Sequence, residues 1–259
     1  MKSLLLSATI LIFCTLLKGQ NNGNDGITSG KITFEEKIKL EIKLEGDASQ
    51  FANMLPKERK AEKILLFNSE STLFEDGVNV SEDMTSGGHG EGVVVRITGS
   101  GQNKIYTDLK ANKVIDQKDF MNRMFIVEKE IPEANWKVTG NQKEILGYTC
   151  MEAVKQDTAG NKTIVWFTPA INIKSGPSGL GNLPGMILEA DINNGSRSYT
   201  AKSVESLSLR DIKIEKPKDG KKVTESEYKT IVAEKMKEMG MEQGAAGSGS
   251  TQMHIIIKQ

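Results

Sequence analysis

The run Gly176-Pro177-Ser178-Gly179-Leu180-Gly181-Asn182-Leu183-Pro184-Gly185-Met186-Ile187-Leu188-Glu189 separates what must be loop from what must be sheet. Eight of these fourteen residues are Gly, Pro, Ser or Asn, so no regular element is expected between Gly176 and Gly185. Glycine permits positive φ and close backbone approach, while each proline fixes its own φ and pushes its predecessor out of the α region. The run ends in Met186-Ile187-Leu188 and the alternating Glu189-Ala190-Asp191-Ile192, which reads as a strand. A tightly folded loop feeding a buried strand is the expectation.

Working outward, the same alternation recurs on both sides. Upstream, Ile32, Phe34, Ile38, Leu40, Ile42 and Leu44 fall on alternate positions with Lys and Glu mostly between them. Glu36 breaks their apolar side and suggests an edge or a bulge. Residues 64–67, 71–74, 93–98, 104–108, 113–116, 124–127, 136–139 and 163–167 read as further strands. Leu109-Lys110-Ala111-Asn112 suits a hairpin turn, and Leu146, Tyr148 and Cys150 alternate on one side of another strand. Residues 49–60 suggest a short helix interrupted by Pro56, and the four glycines within 80–92 mark an excursion between strands. Downstream, Asn193-Asn194-Gly195 has the chemistry of a hairpin turn, with strands expected at 198–204 and 208–214.

One helix stands out late in the chain. Thr224-Glu225-Ser226-Glu227 is a capping-box pattern. Tyr228, Ile231, Val232, Lys235, Met236 and Met239 then recur at helical spacing, with Gly240 placed to close the helix. The expected order is helix 225–239, a flexible linker over 240–250 and a final strand over 251–258 that returns to the sheet. The fold class is therefore mainly β, with some α. A long antiparallel meander forms a curved sheet or half-barrel, capped by one C-terminal amphipathic helix.

Leu183-Pro184-Gly185, followed by an apolar pair and Leu-Glu with Gly176-Pro177 upstream, resembles the signature of the GLPGLI family, small secreted proteins of Bacteroidetes-type bacteria. The resemblance extends to Trp136-Lys137-Val138-Thr139-Gly140, Ile145-Leu146-Gly147-Tyr148-Thr149-Cys150 and Val165-Trp166-Phe167-Thr168-Pro169. Asn182 stands for the first Gly of the name-giving motif and Met186 for its second Leu. Asn tolerates the left-handed region and Met is close to Leu in volume, so both changes preserve the loop. The expected topology is also similar to the half-barrel of LolA-like envelope carriers. That likeness implies a cradle for an apolar ligand, a lipid or a segment of an envelope protein.

Lys2, the apolar run Leu4 to Leu17 and Gly19 have the layout of a secretory signal peptide over residues 1–19. Residues 20–30 read as a flexible lead and 31–259 as a single domain. The implied protein is exported, to the periplasm or beyond the cell. No later segment is apolar enough to span a membrane. Lys plus Arg and Asp plus Glu number 34 each. Losing Lys2 and Lys18 with the signal leaves 32 against 34, a net charge of −2, which argues against a nucleic-acid partner. Of the two Cys, Cys14 lies in the signal, so Cys150 has no intrachain disulfide partner in the mature chain.

Enzyme motifs are missing from the sequence. No Gly-x-Ser-x-Gly elbow, no P-loop Lys-Ser or Lys-Thr and no cofactor motif occurs. A thiol nucleophile built from Cys150 and a histidine is weighed against a small buried hydrophobe, which an alternating strand favours. The expectation is a non-enzymatic binding protein without a cofactor. Its candidate ligand surface comprises Trp136, Tyr148 and Trp166 along the curved sheet and Leu183, Pro184, Gly185 and Met186 in the motif. The rival is a copper-type metal site of soft thioethers and imidazole, formed by Met236, Met239, Met241, Met253 and His254, with Met84 and His89 as a looser pair.

Overall fold

The computed structural model describes residues 26–40, 57–77, 93–98, 103–131, 133, 135–238 and 252–257, with the backbone alone for 93–98 and 252–257. The strands are β1 (Gly30–Lys39), β2 (Glu58–Phe67), β3 (Ser71–Asp76), β4 (Val93–Thr98), β5 (Lys104–Asp108), β6 (Lys113–Phe120), β7 (Arg123–Glu130), β8 (Lys137–Ile145), β9 (Tyr148–Gln156), β10 (Lys162–Thr168), β11 (Met186–Ile192), β12 (Arg197–Ser206), β13 (Lys221–Val223) and β14 (Gln252–Ile257). Among the described residues the one α-helix is α1 (Glu225–Glu238). The mainly β class expected from alternation is what forms.

Twelve strands make one open, mixed sheet in the order β13-β7-β6-β5-β3-β2-β1-β12-β11-β10-β9-β8. The order is two antiparallel meanders, one of β1, β2, β3, β5, β6 and β7 and one of β8 to β12, joined where β1 pairs with β12. Only the edge pair β13 and β7 is parallel. The crossover from β7 to β8 forces curvature. Ten strand intervals separate the two in the sheet, about 48 Å if the sheet were flat. The chain from Glu130 to Lys137 reaches at most about 25 Å. The sheet therefore curls, and contacts across its concave face agree. Phe74 of β3 lies edge-on to Tyr199 of β12 with ring centroids 5.7 Å apart, although β2 and β1 run between their strands.

β1 is the central strand, so Glu36 does not mark an edge. A bulge against β12 does occur, between Thr33 and Phe34. Ile32, Phe34 and Glu36 of β1 face the same way as Leu65, Lys63 and Ala61 of β2 in the antiparallel register. The concave face is thus apolar at one end and charged at the other. At the charged end Tyr199 donates its hydroxyl hydrogen to Glu36 at 2.7 Å. Lys63 lies 3.5 Å from Glu36 and hydrogen-bonds Asp76, and Arg197 lies 3.6 Å from Glu36. Glu36 is 4 % exposed, so these partners are what make its burial tolerable. Burial and the neighbouring Glu36 charge push the Tyr199 phenol upward, which keeps it a donor.

Several local expectations need correction. Residues 208–214 form no strand, and Leu209 is two-thirds exposed, so its apolar side chain never found a sheet partner. Leu146 does not share the buried side of its strand. With φ 52 it and Gly147 make the tight turn between β8 and β9, and its side chain is exposed. Glu58, Arg59 and Lys60 open β2 instead of ending a helix, and residues 49–56 lie outside the described residues. The final strand does form, but β14 pairs antiparallel with β4 in a separate two-stranded sheet and does not return to the main one. The excursion at 80–92, with Met84 and His89, lies outside the described residues.

Candidate functional site

Loop 169–185 crosses the concave face of the sheet. Within it Pro177–Gly179 makes a single 3-10 turn, with Ser178 at φ 56 and Gly179 at φ 73. Ile187 N–H donates to the Ser175 carbonyl at 2.9 Å and Met186 N–H to the Ile171 carbonyl at 3.0 Å, tying the loop to β11. At its other side the Ser175 and Thr72 hydroxyls hydrogen-bond at 3.2 Å, both buried, reaching β3. Ile171, Ile173 and Leu183 join the same core as Phe34, Phe67 and Ile187. The loop fills the interior that the curled sheet would otherwise leave open.

The motif residues divide by exposure. Leu183 and Met186 are buried, Pro184 is exposed, and Gly185 is buried at φ 153. A Cβ on Gly185 would sit 2.1 Å from the Thr168 carbonyl oxygen, so only glycine fits there. Asn182 takes φ 64, the left-handed conformation its substitution for glycine requires. The described packing makes the motif part of the core, with Pro184 and Asn182 at its surface.

The three aromatic candidates differ in their surroundings. Trp136 donates its indole N–H to the Gly181 carbonyl at 2.9 Å, and Lys155 stands over its ring at 4.7 Å. Burial lowers the Lys155 pKa. By the registers of β8, β9 and β10, Tyr148 and Trp166 face away from Val165 and Phe167, and both are half-buried against the core cluster. Around Trp166 a second constellation assembles. Glu152 of β9 and Glu189 of β11 lie directly opposite Trp166 in the ladder, one on each flank. Lys143 stands 4.3 Å from the ring centroid and pairs with Glu189 at 2.7 Å. A bulge in β8 between Val138 and Gln142 includes Gly140 at φ 90. It carries Thr139 and Asn141 over Glu152, which accepts their hydrogen bonds at 2.5 and 2.8 Å. Those two bonds, Thr139 first, hold the Glu152 carboxyl below its ordinary pKa and keep it an acceptor.

The result is a half-buried indole flanked by two carboxylates, an amide, a hydroxyl and an ammonium. Such a surface can stack an apolar ring face and hydrogen-bond a polar rim. Sequence reasoning named Trp166 and Tyr148 but missed Glu152, Glu189, Lys143, Thr139 and Asn141. Their signal was available only as alternation opposite Trp166 and as the Thr-Gly-Asn bulge.

Cys150 is fully buried, and desolvation pushes its thiol up to about 11, far from a reactive thiolate. Among the described residues no group of three or more His, Cys, Asp or Glu is placed to hold a metal ion. Of the thioether set, Met236 lies half-buried on α1. Met239 and Met241 lie outside the described residues, and Met253 and His254 are described only as backbone in β14. No described helix is long and apolar enough to cross a membrane.

The model of the family described as N-glycanase peptide, N-terminal domain, matches residues 97–230, just over half of the chain. Two crystal structures of PNGF-II, in space groups P21 and C2, each superpose with a TM-score of 0.52 at 20% identity. They cover 79% of this chain but only 33% and 32% of their own, so this chain spans about a third of their length. An uncharacterized conserved protein from Thermus thermophilus matches at a TM-score of 0.38 and 10% identity, over 78% of this chain and 93% of its own. No curated protein matches. The GLPGLI resemblance rests on its motif residues, and the matching family is a different one.

Proposed function

We propose that this chain, which belongs to the N-glycanase peptide N-terminal domain family, is an exported, non-catalytic protein that binds glycan on the face around Trp166. The observation carrying this reading is the placement of Trp166 between Glu152 and Glu189 in the ladder, with Lys143, Thr139 and Asn141 at its rim. A pyranose offers an apolar C–H face for the indole and a ring of hydroxyls for ionised carboxylates and an amide. The family name supplies the glycan connection, and export rests on the signal-like layout of residues 1–19. The buried, undissociated Cys150 thiol favours a non-catalytic role.

The GLPGLI resemblance and an envelope ligand remain part of this reading, but the ligand surface moves. The concave face expected to cradle an apolar ligand is occupied by loop 169–185, so the patch around Trp166 takes that role.

Titration of the exported chain with N-glycan released from a glycoprotein tests the proposal, read by indole fluorescence and calorimetry. Saturable binding that falls about tenfold or more in Trp166→Ala, a loss of about 1.4 kcal/mol or more, at unchanged melting temperature supports it. No binding, or binding indifferent to Trp166→Ala and Glu152→Gln, refutes the site. Release of glycan from a glycopeptide by the purified chain refutes the non-catalytic assignment.

A further inference from the structure

A cavity of about 540 Å³ lies between α1, β7 and β13, away from the Trp166 face. It arises from how the C-terminal segment docks. Gln117 donates its side-chain amide to the Asp219 carbonyl at 2.7 Å. Gly220 then passes so near β7 that a Cβ would meet the Met124 backbone at 2.9 Å. β13 follows in parallel pairing with Phe125, Ile126 and Val127. α1 returns over β7 and anchors by Tyr228, edge-on to Phe125 with centroids 5.5 Å apart.

The walls of this cavity are Met124, Phe125 and Ile231, and its rim carries Arg123, Lys221, Lys235 and Glu234. Three cations stand against Glu234 and the Glu238 that pairs with Lys235, which leaves the rim at +1. Lys235 is engaged by Glu238 at 2.5 Å and Lys221 acts on the nearby Glu227 carboxylate, which leaves Arg123 as the rim cation with no ion pair among the described residues. The volume falls within the about 300–1,000 Å³ of small-molecule sites. Apolar walls under a net positive rim fit one chemistry: a hydrocarbon chain with an anionic head.

We propose that this cavity is a binding site for a single-chain anionic amphiphile, its tail against Phe125 and Ile231 and its head between Arg123 and Lys221. The site is independent of the glycan reading and stands or falls separately from it.

Calorimetry of the full chain with laurate, dodecyltrimethylammonium and acetate, each below its micelle concentration, is the test. One saturable laurate site is expected, with no binding of acetate and weaker binding of the cationic amphiphile. Ile231→Trp, which fills the cavity, is expected to weaken laurate by about tenfold or more. The exposed charge reversals Arg123→Glu and Lys221→Glu together do the same while favouring dodecyltrimethylammonium. They keep the proposal testable should Ile231→Trp not fold. Absence of saturable laurate binding overturns it, as does equal binding of both amphiphiles or laurate affinity unchanged by the charge reversals.

Discussion

Loop 169–185 and helix α1 both cover the sheet, one on the concave face and one over β7, and they do so by opposite means. The loop has almost no regular structure. Yet Ile171 is fully buried and Leu183 nearly so, in a core continuous with β1, β2 and β11. The helix has ideal local signals, a complete capping box and apolar spacing. It buries only Tyr228 outright, in a cluster limited to Phe120, Phe125 and Val127 with Val223, Ile231 and Val232 at its margin. Local regularity and global importance are separable here. Stability follows shared burial, and the thinly packed cover is the one that leaves a cavity beneath it.

The sharpest way to break this comparison is Gly185→Val. Positive φ alone costs a β-branched residue on the order of 1–3 kcal/mol, and the Cβ would also collide with the Thr168 carbonyl at 2.1 Å. Loss of the folded state, or destabilisation above about 3 kcal/mol in urea unfolding, is expected. A near-normal melting temperature would show that the loop is a detachable lip. Leu183→Ala comes next, at about 2–5 kcal/mol, because Leu183 is 3 % exposed within that core. The same measurement checks it, and a loss below about 1 kcal/mol would contradict the plug.

Tyr199→Phe probes the charged end of the same concave face. Removing the donor leaves Glu36 buried with only its ionic partners, so about 1–3 kcal/mol is expected from chemical denaturation. Little change there would mean Lys63 and Arg197 suffice.

The smallest effect belongs to the helix. Thr224→Ala removes the hydroxyl that accepts from the Glu227 N–H at 3.1 Å and should cost about 0.5–2 kcal/mol. Amide exchange should show it confined to α1, leaving β11 protected. Thr224, through its backbone N–H and then its hydroxyl, holds the Glu227 carboxyl below its ordinary 4.5. A depressed carboxyl stabilises fully above that value, and the contribution disappears as pH falls through the lower folded one. Helical circular dichroism should therefore decline on acidification in the wild type, and less so in Glu227→Gln. Simultaneous loss of β11 protection in Thr224→Ala would erase the distinction between the two covers.

The sequence carried much of this without the structure. Its alternation gave the strands on both sides of the glycine loop, and Met186–Ile192 forms with the bounds that the pattern implied. The capping box and the turn at Asn193-Asn194-Gly195, all three at positive φ, are likewise local chemistry. Residues 208–214 show the limit. Alternation states that a segment could pair, and pairing needs a free neighbouring edge.

The candidate site was less legible. Trp136 and Trp166 looked alike in the sequence, but Trp136 bonds the loop carbonyl of Gly181 whereas Trp166 sits between Glu152 and Glu189 in the ladder. The residues that surround Trp166 come from three other strands and a bulge. What the sequence determined alone is whatever depends on a few consecutive residues: strand periodicity, helix capping and the conformations open only to glycine or asparagine. The tertiary structure decided the strand order, the curl imposed by the short link from β7 to β8, and the filling of the interior by loop 169–185. It also decided the partners of Glu36 and the carboxylates beside Trp166. Each of these depends on contacts between residues far apart in the chain, which no local pattern encodes.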